Sequence, residues 1–306
     1  MDTMALSSVE LRKYNPSTPD EFYKLAARTA SFYYHTRLET AIKILSGEEI
    51  VFFISPISNM NDENEIILHE REQNCTYILC FSHIQTESIP MWYLYSGITG
   101  EGSRIGFTPA RMRDILESAI EVYPVYRRQI DTSKSLHIDD DYAVEYGWVF
   151  YRNKEDNSIK YKGDKCIIRD SMHSFEKGNF FVKDSEWSYE KEFRIVFKLN
   201  RTLPEQIALV LNKKKMMADD GLKVTLSPRI SEADMEMIKA KMGLPAKHIS
   251  TSKIKAKMDL LSRNRQSIVE HFPEVVSGLN MDELESIIKQ VEAELIVQKE
   301  KELAHV

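Results

Sequence analysis

The spacing of apolar positions switches along the chain between a period of two and a period near 3.6, and each switch marks a change of element. Residues 187–199, "WSYEKEFRIVFKL", read as a strand in which Phe193, Ile195, Phe197 and Leu199 share one face. Glu190, Glu192 and Arg194 then fall together on the other face. "YYHT", "EIVFFISP", "TYILCFS", "SRIGFT", "VYPVY", "KCIIR", "EQIALVLN" and "LKVTLSP" are further strand candidates. Helical spacing appears in "RLETAIKILSG", where Leu38, Ala41, Ile42 and Leu45 repeat at i, i+3, i+4 and i+7 before Gly47. Three other helices carry their own start signals. Thr18 precedes Pro19 with Glu21 in capping-box position, Thr108 precedes Pro109, and Ser231 pairs in spacing with Asp234 ahead of a terminating Gly243. "IPMWYLYSG" predicts a short helix from Pro90 toward Gly97.

Helices and strands interleave without a regular βαβ rhythm. That predicts an α+β fold with a mixed, mostly antiparallel sheet and flanking helices. Residues 127–163 are polar, include the run "DDD", and predict an insertion of loops and short helices. The expected organisation is a single domain over residues 1–258 and a helical extension over 259–306. In that extension Leu284, Ile287, Ile288, Val291 and Leu295 form one apolar stripe behind the cap candidate Asn280. The stripe suits a helix docked on its own domain, or one that binds a partner such as an antitoxin.

With 306 residues the chain can bury a large core, and its net charge of −6 does not mark a general binder of polyanions. No apolar run approaches the roughly 18 residues that span a bilayer. "MDTMALSSVELRKY" lacks a basic start followed by an apolar run, so a secretory leader is not expected. Three cysteines, Cys75, Cys80 and Cys166, make no disulfide framework and suit a reducing cytoplasm. "CFSH" places His83 near Cys80, but a structural zinc site needs about four ligands and no second pair is suitably spaced. Phosphate loops, dinucleotide fingerprints and nucleophile elbows are absent from the sequence.

Candidate chemistry therefore rests on polar residues at strand ends. Tyr34, His35 and Thr36 join a ring, an imidazole and a hydroxyl, against the alternative of a histidine held by a backbone carbonyl. Ser82 closes an apolar strand, where it can meet a ligand or begin a turn. Asn59, Asn61 and Asp62 suit a turn. Trp92 and Tyr95 have core-like helical spacing. Tyr123, Tyr126, Arg127 and Arg128 could meet single-stranded nucleic acid or simply end a strand. Glu190 and Glu192 repel unless compensated, and Arg194 on their face can compensate. That face is either solvated or the wall of a site.

In order, "YYHTRLETAIKILSGEEIVFFISPISNMND", "YILCFSHIQTESIPMWYLYSG", "RIGFT", "WSYEKEFR" and "LSPRI…STSKI" resemble a bacterial family catalogued as domain of unknown function 2971. The resemblance runs over residues 32–254, with Glu63 where the family usually has proline after Asn-Asp. The motif order also resembles ADP-ribosyltransferases, in which a first-strand His or Arg, a middle-strand Ser or Tyr and a late Glu surround NAD. That likeness implies an ADP-ribosyltransferase-like fold and an enzyme of a bacterial toxin or antiviral defence system. NAD would be its substrate, and a nucleic acid or protein its acceptor. It makes Glu192 and Glu190 the catalytic candidates. Tyr34, His35, Thr36, Ser82, Trp92, Tyr95 and Arg194 become the NAD-binding candidates. A non-catalytic module that binds a nucleotide or a partner through the same pocket is the alternative. A hydrolase would call for metal ligands beside the glutamates.

Overall fold

A computed structural model describes residues 18–26, 31–59, 74–84, 86–96, 101–152, 159–162, 165–169, 174–200, 205–252 and 254. The expected C-terminal helix, together with Asn61, Asp62 and Glu63, lies outside the described residues.

The strands are β1 (Phe32–Arg37), β2 (Glu49–Ile54), β3 (Thr76–Ser82), β4 (Gly102–Phe107), β5 (Glu121–Tyr126), β6 (Gln129–Ile130), β7 (Leu136–His137), β8 (Tyr142–Trp148) and β9 (Phe150–Arg152). They continue with β10 (Ile159–Lys162), β11 (Lys165–Arg169), β12 (Ser174–Gly178), β13 (Val182–Asp184), β14 (Glu192–Leu199), β15 (Gln206–Asn212), β16 (Leu222–Leu226) and β17 (Ile249–Thr251). The α-helices are α1 (Pro19–Ala26), α2 (Leu38–Leu45), α3 (Ile89–Ser96), α4 (Pro109–Ser118), α5 (Lys213–Met217) and α6 (Glu232–Met242).

The main sheet has seven strands in the order β17-β16-β4-β1-β3-β14-β8. A second sheet runs β2-β15-β5-β6, with β7 pairing β5. Pairing is antiparallel except for β16 with β17 and β9 with β13. The fold is thus α+β with a mixed, mostly antiparallel sheet.

Alternation decides what each face of the main sheet does. Phe32, Leu79, Phe81, Ile105, Phe107, Phe193, Ile195 and Phe197 point into one core and are almost fully buried. Ile50, Phe52 and Ile54 of β2, with Ile207, Leu209 and Leu211 of β15, join the same core from the second sheet. Phe52 lies within 6.2 Å of the rings of Phe81 and Phe107. The helix caps follow the sequence. Thr18 accepts from the Glu21 amide at 3.1 Å, Ser231 from the Asp234 amide at 3.2 Å, and Gly243 ends α6 in a left-handed conformation.

The described part of residues 127–163 differs from expectation, since it holds strands β6 to β10 rather than loops and short helices. Strand β8 pairs with β14 along seven residues and extends the main sheet. Tyr142, Val144, Tyr146 and Trp148 carry the two-residue period there, and the neighbouring acidic run hides it.

Candidate functional site

Opposite the core face, the main sheet carries polar side chains at one end, while Ile78 and Val196 farther along the same face pack on Ile57, Phe180 and Phe181. Ser82 ends β3, with Tyr33 of β1 opposite it on one side and Glu192 of β14 on the other. One step along, Arg104 of β4 pairs with His35 of β1, and Cys80 of β3 pairs with Arg194 of β14. His35, Ser82, Glu192 and Arg194 therefore share one face, and two strand spacings, roughly 10 Å, separate β1 from β14.

Tyr34 does not belong there. Neighbouring residues of a strand face opposite ways, so Tyr34 enters the core and meets Phe52 and Phe81 edge-on at 5.1 and 5.9 Å. Burial pushes its phenol up to about 12. Thr36 shares that orientation and pairs with Ser103 of β4. Neither residue lines the polar face.

Strand β14 begins at Glu192, not before it. Residues Ser185–Glu190 form a 3-10 helix, and Lys191 adopts a left-handed conformation (φ 45°) between helix and strand. This turn brings Glu190 back beside Glu192, where simple alternation would also have placed it. Glu190 is 1 % exposed, Glu192 5 % and Arg194 1 %, which rules out a solvated face.

Burying two carboxylates requires compensating cations. Arg194 Nε donates to Glu192 Oε2, and Arg194 Nη1 donates to the Phe180 carbonyl at 2.7 Å. Lys183 supplies the second cation, which the sequence pattern did not single out. Its Nζ lies 2.6 Å from Glu190 Oε2 and 3.2 Å from Glu192 Oε1, and 4.6 Å from the centroid of the Trp187 ring. A lysine in the short apolar run "FFVK" was the available signal. Tyr95 is 37 % exposed as a residue, yet its hydroxyl turns inward and donates to Glu190 Oε1 at 2.8 Å. The hydroxyl of Tyr151 accepts from the Glu192 amide at 2.8 Å.

These contacts separate the two carboxyls electrostatically. Burial and the neighbouring Glu192 push Glu190 up to about 8, against the pull of Lys183. Burial opposes ionisation of Glu192 as well, but Arg194 and Lys183 outweigh it and hold that carboxyl well below the usual range. Burial and the two glutamates push the Tyr95 phenol far up. Burial, aided by Arg104, lowers His35 to about 3, so its ring is neutral at physiological pH.

Among the described residues, three buried polar atoms of this face have no hydrogen-bond partner: His35 Nδ1, Ser82 Oγ and Arg104 Nε. Such atoms are costly unless something satisfies them. The rings of Trp92 and Tyr95 approach that of His35 at 5.9 and 6.1 Å from helix α3. Trp92 also packs on Ile89 and Ile254 and donates Nε1 to Glu87 at 3.1 Å, so it combines a core role with contact to the face. Tyr126, Arg127 and Arg128 occupy a hairpin turn at the end of β5, in the second sheet, away from the polar face of the main one.

Residues 91–195 match a family model described as Protein of unknown function (DUF2971). The matched segment is shorter than the resemblance over residues 32–254 suggests. It holds Trp92, Tyr95, Lys183, Glu190, Glu192 and Arg194, while His35 and Ser82 lie outside it. Searches of curated proteins and of solved structures give no match. No helix among the described residues is long and apolar enough to cross a membrane.

Proposed function

We propose that the polar face of the main sheet binds NAD and that the protein is an ADP-ribosyltransferase of a toxin or defence system, acting on a nucleic acid or protein. One observation carries this reading: among the described residues, His35 Nδ1 and Ser82 Oγ are buried without partners on the same sheet face as an ionised, ion-paired glutamate. Hydroxyl-rich ligands such as ribose satisfy atoms of that kind. An ADP-ribosyltransferase-like fold accords with the strand order, which sets β1, β3 and β14 side by side.

Glu192 has the charge for the chemistry. When the bond between ribose C1′ and nicotinamide breaks, its electron pair leaves with nicotinamide and positive charge develops on the sugar. A fixed carboxylate stabilises that charge, as in glycoside hydrolysis. The acceptor's lone pair then bonds to C1′, and its proton passes to Glu190. Arg194 is committed to Glu192 and to the Phe180 carbonyl, which makes it a positioning residue, not a phosphate ligand.

The test is incubation of the full chain with labelled NAD and total RNA, DNA or protein. Glu192→Gln keeps the size but removes the charge, and should lower transfer on the order of 100- to 1000-fold without loss of fold. A second reading, a non-catalytic nucleotide-binding module, draws on the engagement of both Glu192 oxygens by Lys183 and Arg194. NAD binding with no nicotinamide release, unchanged in Glu192→Gln, would select it.

A further inference from the structure

Besides Arg194 and Lys183, the outer face holds a third cation, which the chemistry above does not use. Arg104 is 8 % exposed. Among the described residues its one ion pair is to Glu87, whose Oε1 stands 3.9 Å from Nη2, too far for a hydrogen bond. The other oxygen of Glu87 is taken by Trp92 Nε1 and by the Ser252 hydroxyl. Among the described residues Arg104 Nε has no hydrogen-bond partner. A guanidinium offers five N–H donors in a planar fork, and a buried one normally uses them.

Its placement is built rather than incidental. The guanidinium carbon lies 4.4 Å from the centroid of the Tyr33 ring. Tyr33 in turn lies against Gly106, where an added Cβ would come within 2.9 Å of the ring. Gly106 thus lets the ring lie flat on the sheet, and the ring carries the guanidinium. Cross-strand pairing sets Arg104 beside His35, whose Nδ1 is also without a partner. Two unpartnered nitrogens on adjacent strands, one cationic, define a place for an anionic group next to the proposed ribose site.

We infer that Arg104, supported by Tyr33 and Gly106, is the phosphate-binding residue of this face and receives the phosphates of the nucleotide. This rests on the nucleotide reading given above. It assigns the phosphate contact to β4 and leaves Arg194 to hold Glu192 in place. The carboxylates at Glu190 and Glu192 and the cation at Arg104 then lie at opposite ends of the site, with His35 and Ser82 between them.

Calorimetric titration of the full chain with adenosine, ADP, ADP-ribose and inorganic pyrophosphate tests the inference. ADP should bind the unaltered protein at least about tenfold more tightly than adenosine, since charged hydrogen bonds carry that much. Arg104→Gln should weaken ADP and ADP-ribose about 10- to 100-fold and leave adenosine unchanged, with Arg104→Lys intermediate. Equal affinities for ADP and adenosine in the unaltered protein would overturn the inference even if the variants fail to fold. So would an equal loss for both ligands in Arg104→Gln. The two proposals fail differently. Arg104-dependent binding of ADP without NAD cleavage would remove the transferase and keep the phosphate site. NAD cleavage with an unchanged KM in Arg104→Gln would do the reverse.

Discussion

Lys183 stands between two buried carboxylates, and removing it leaves them facing each other with one cation fewer. Breaking a buried ion pair by deleting one partner typically costs about 3–5 kcal/mol. Lys183→Met should lose stability of that order in equilibrium denaturation, and adding Glu190→Gln should restore part of it above about pH 8, where it removes one charge. The pH dependence has two opposite parts. Glu190 moves from an ordinary 4.5 when unfolded to about 8 when folded. Between those values the unfolded chain has released a proton that the folded chain keeps, so this residue makes stability fall as pH rises from about 4.5 to about 8. Glu192 is held low, so its contribution is present above its unfolded value of 4.5 and is lost as pH falls below it toward the folded pKa. Stability measured against pH should therefore lose its decline across the neutral range in Glu190→Gln but keep its acid limb. The proposed ADP-ribose transfer should rise with pH toward about 8, because in that proposal the acceptor proton passes only to ionised Glu190.

At the scale of elements, one lysine ties two helix ends together. Lys213 begins α5, is 5 % exposed, and donates from Nζ to the carbonyls of Leu45, Gly47 and Met242, the last two at 3.0 and 2.9 Å. Leu45 ends α2 and Met242 ends α6, so one positive charge satisfies the carbonyl ends of both. Burial lowers its pKa. Lys213→Met keeps the apolar stem and strands three acceptors. It should cost about 3 kcal/mol, near the upper range for one unsatisfied buried group, read as a lower denaturation midpoint at unchanged slope. A loss below about 0.5 kcal/mol would mean that water replaces the lysine fully.

For the whole molecule, the two sheets share one core, and Phe52 is the ring that crosses between them. Phe52→Ala should destabilise by about 3–5 kcal/mol. The loss should appear in one transition, with far-UV dichroism and tryptophan fluorescence moving together, because Trp148 packs on Phe22 and Phe193 in the same core. Two separate transitions would show that the sheets melt independently. Among the described residues, strands β10, β11 and β12 pair only with one another, and they fall outside this expectation.

Outside residues 127–163 and the turn at 185–191, the sequence by itself determined the elements and their inner faces. Alternation placed Phe193, Ile195, Phe197 and Leu199 in the core and Glu192 with Arg194 on the opposite face, since a strand offers only two sides. Capping residues marked helix starts because their partners lie three residues away. The same alternation excluded Tyr34 and Thr36 from the face of His35, a consequence that the motif "YYHT" obscured by joining neighbours. Only the tertiary structure decided who meets whom across the sheet. Tyr95 reaches Glu190 from 95 positions away, and Lys183 and Tyr151 arrive on separate segments. Arg104 stands beside His35 through the register of β1 on β4. Register depends on how two complete strands bury their apolar faces together, and no local spacing contains it.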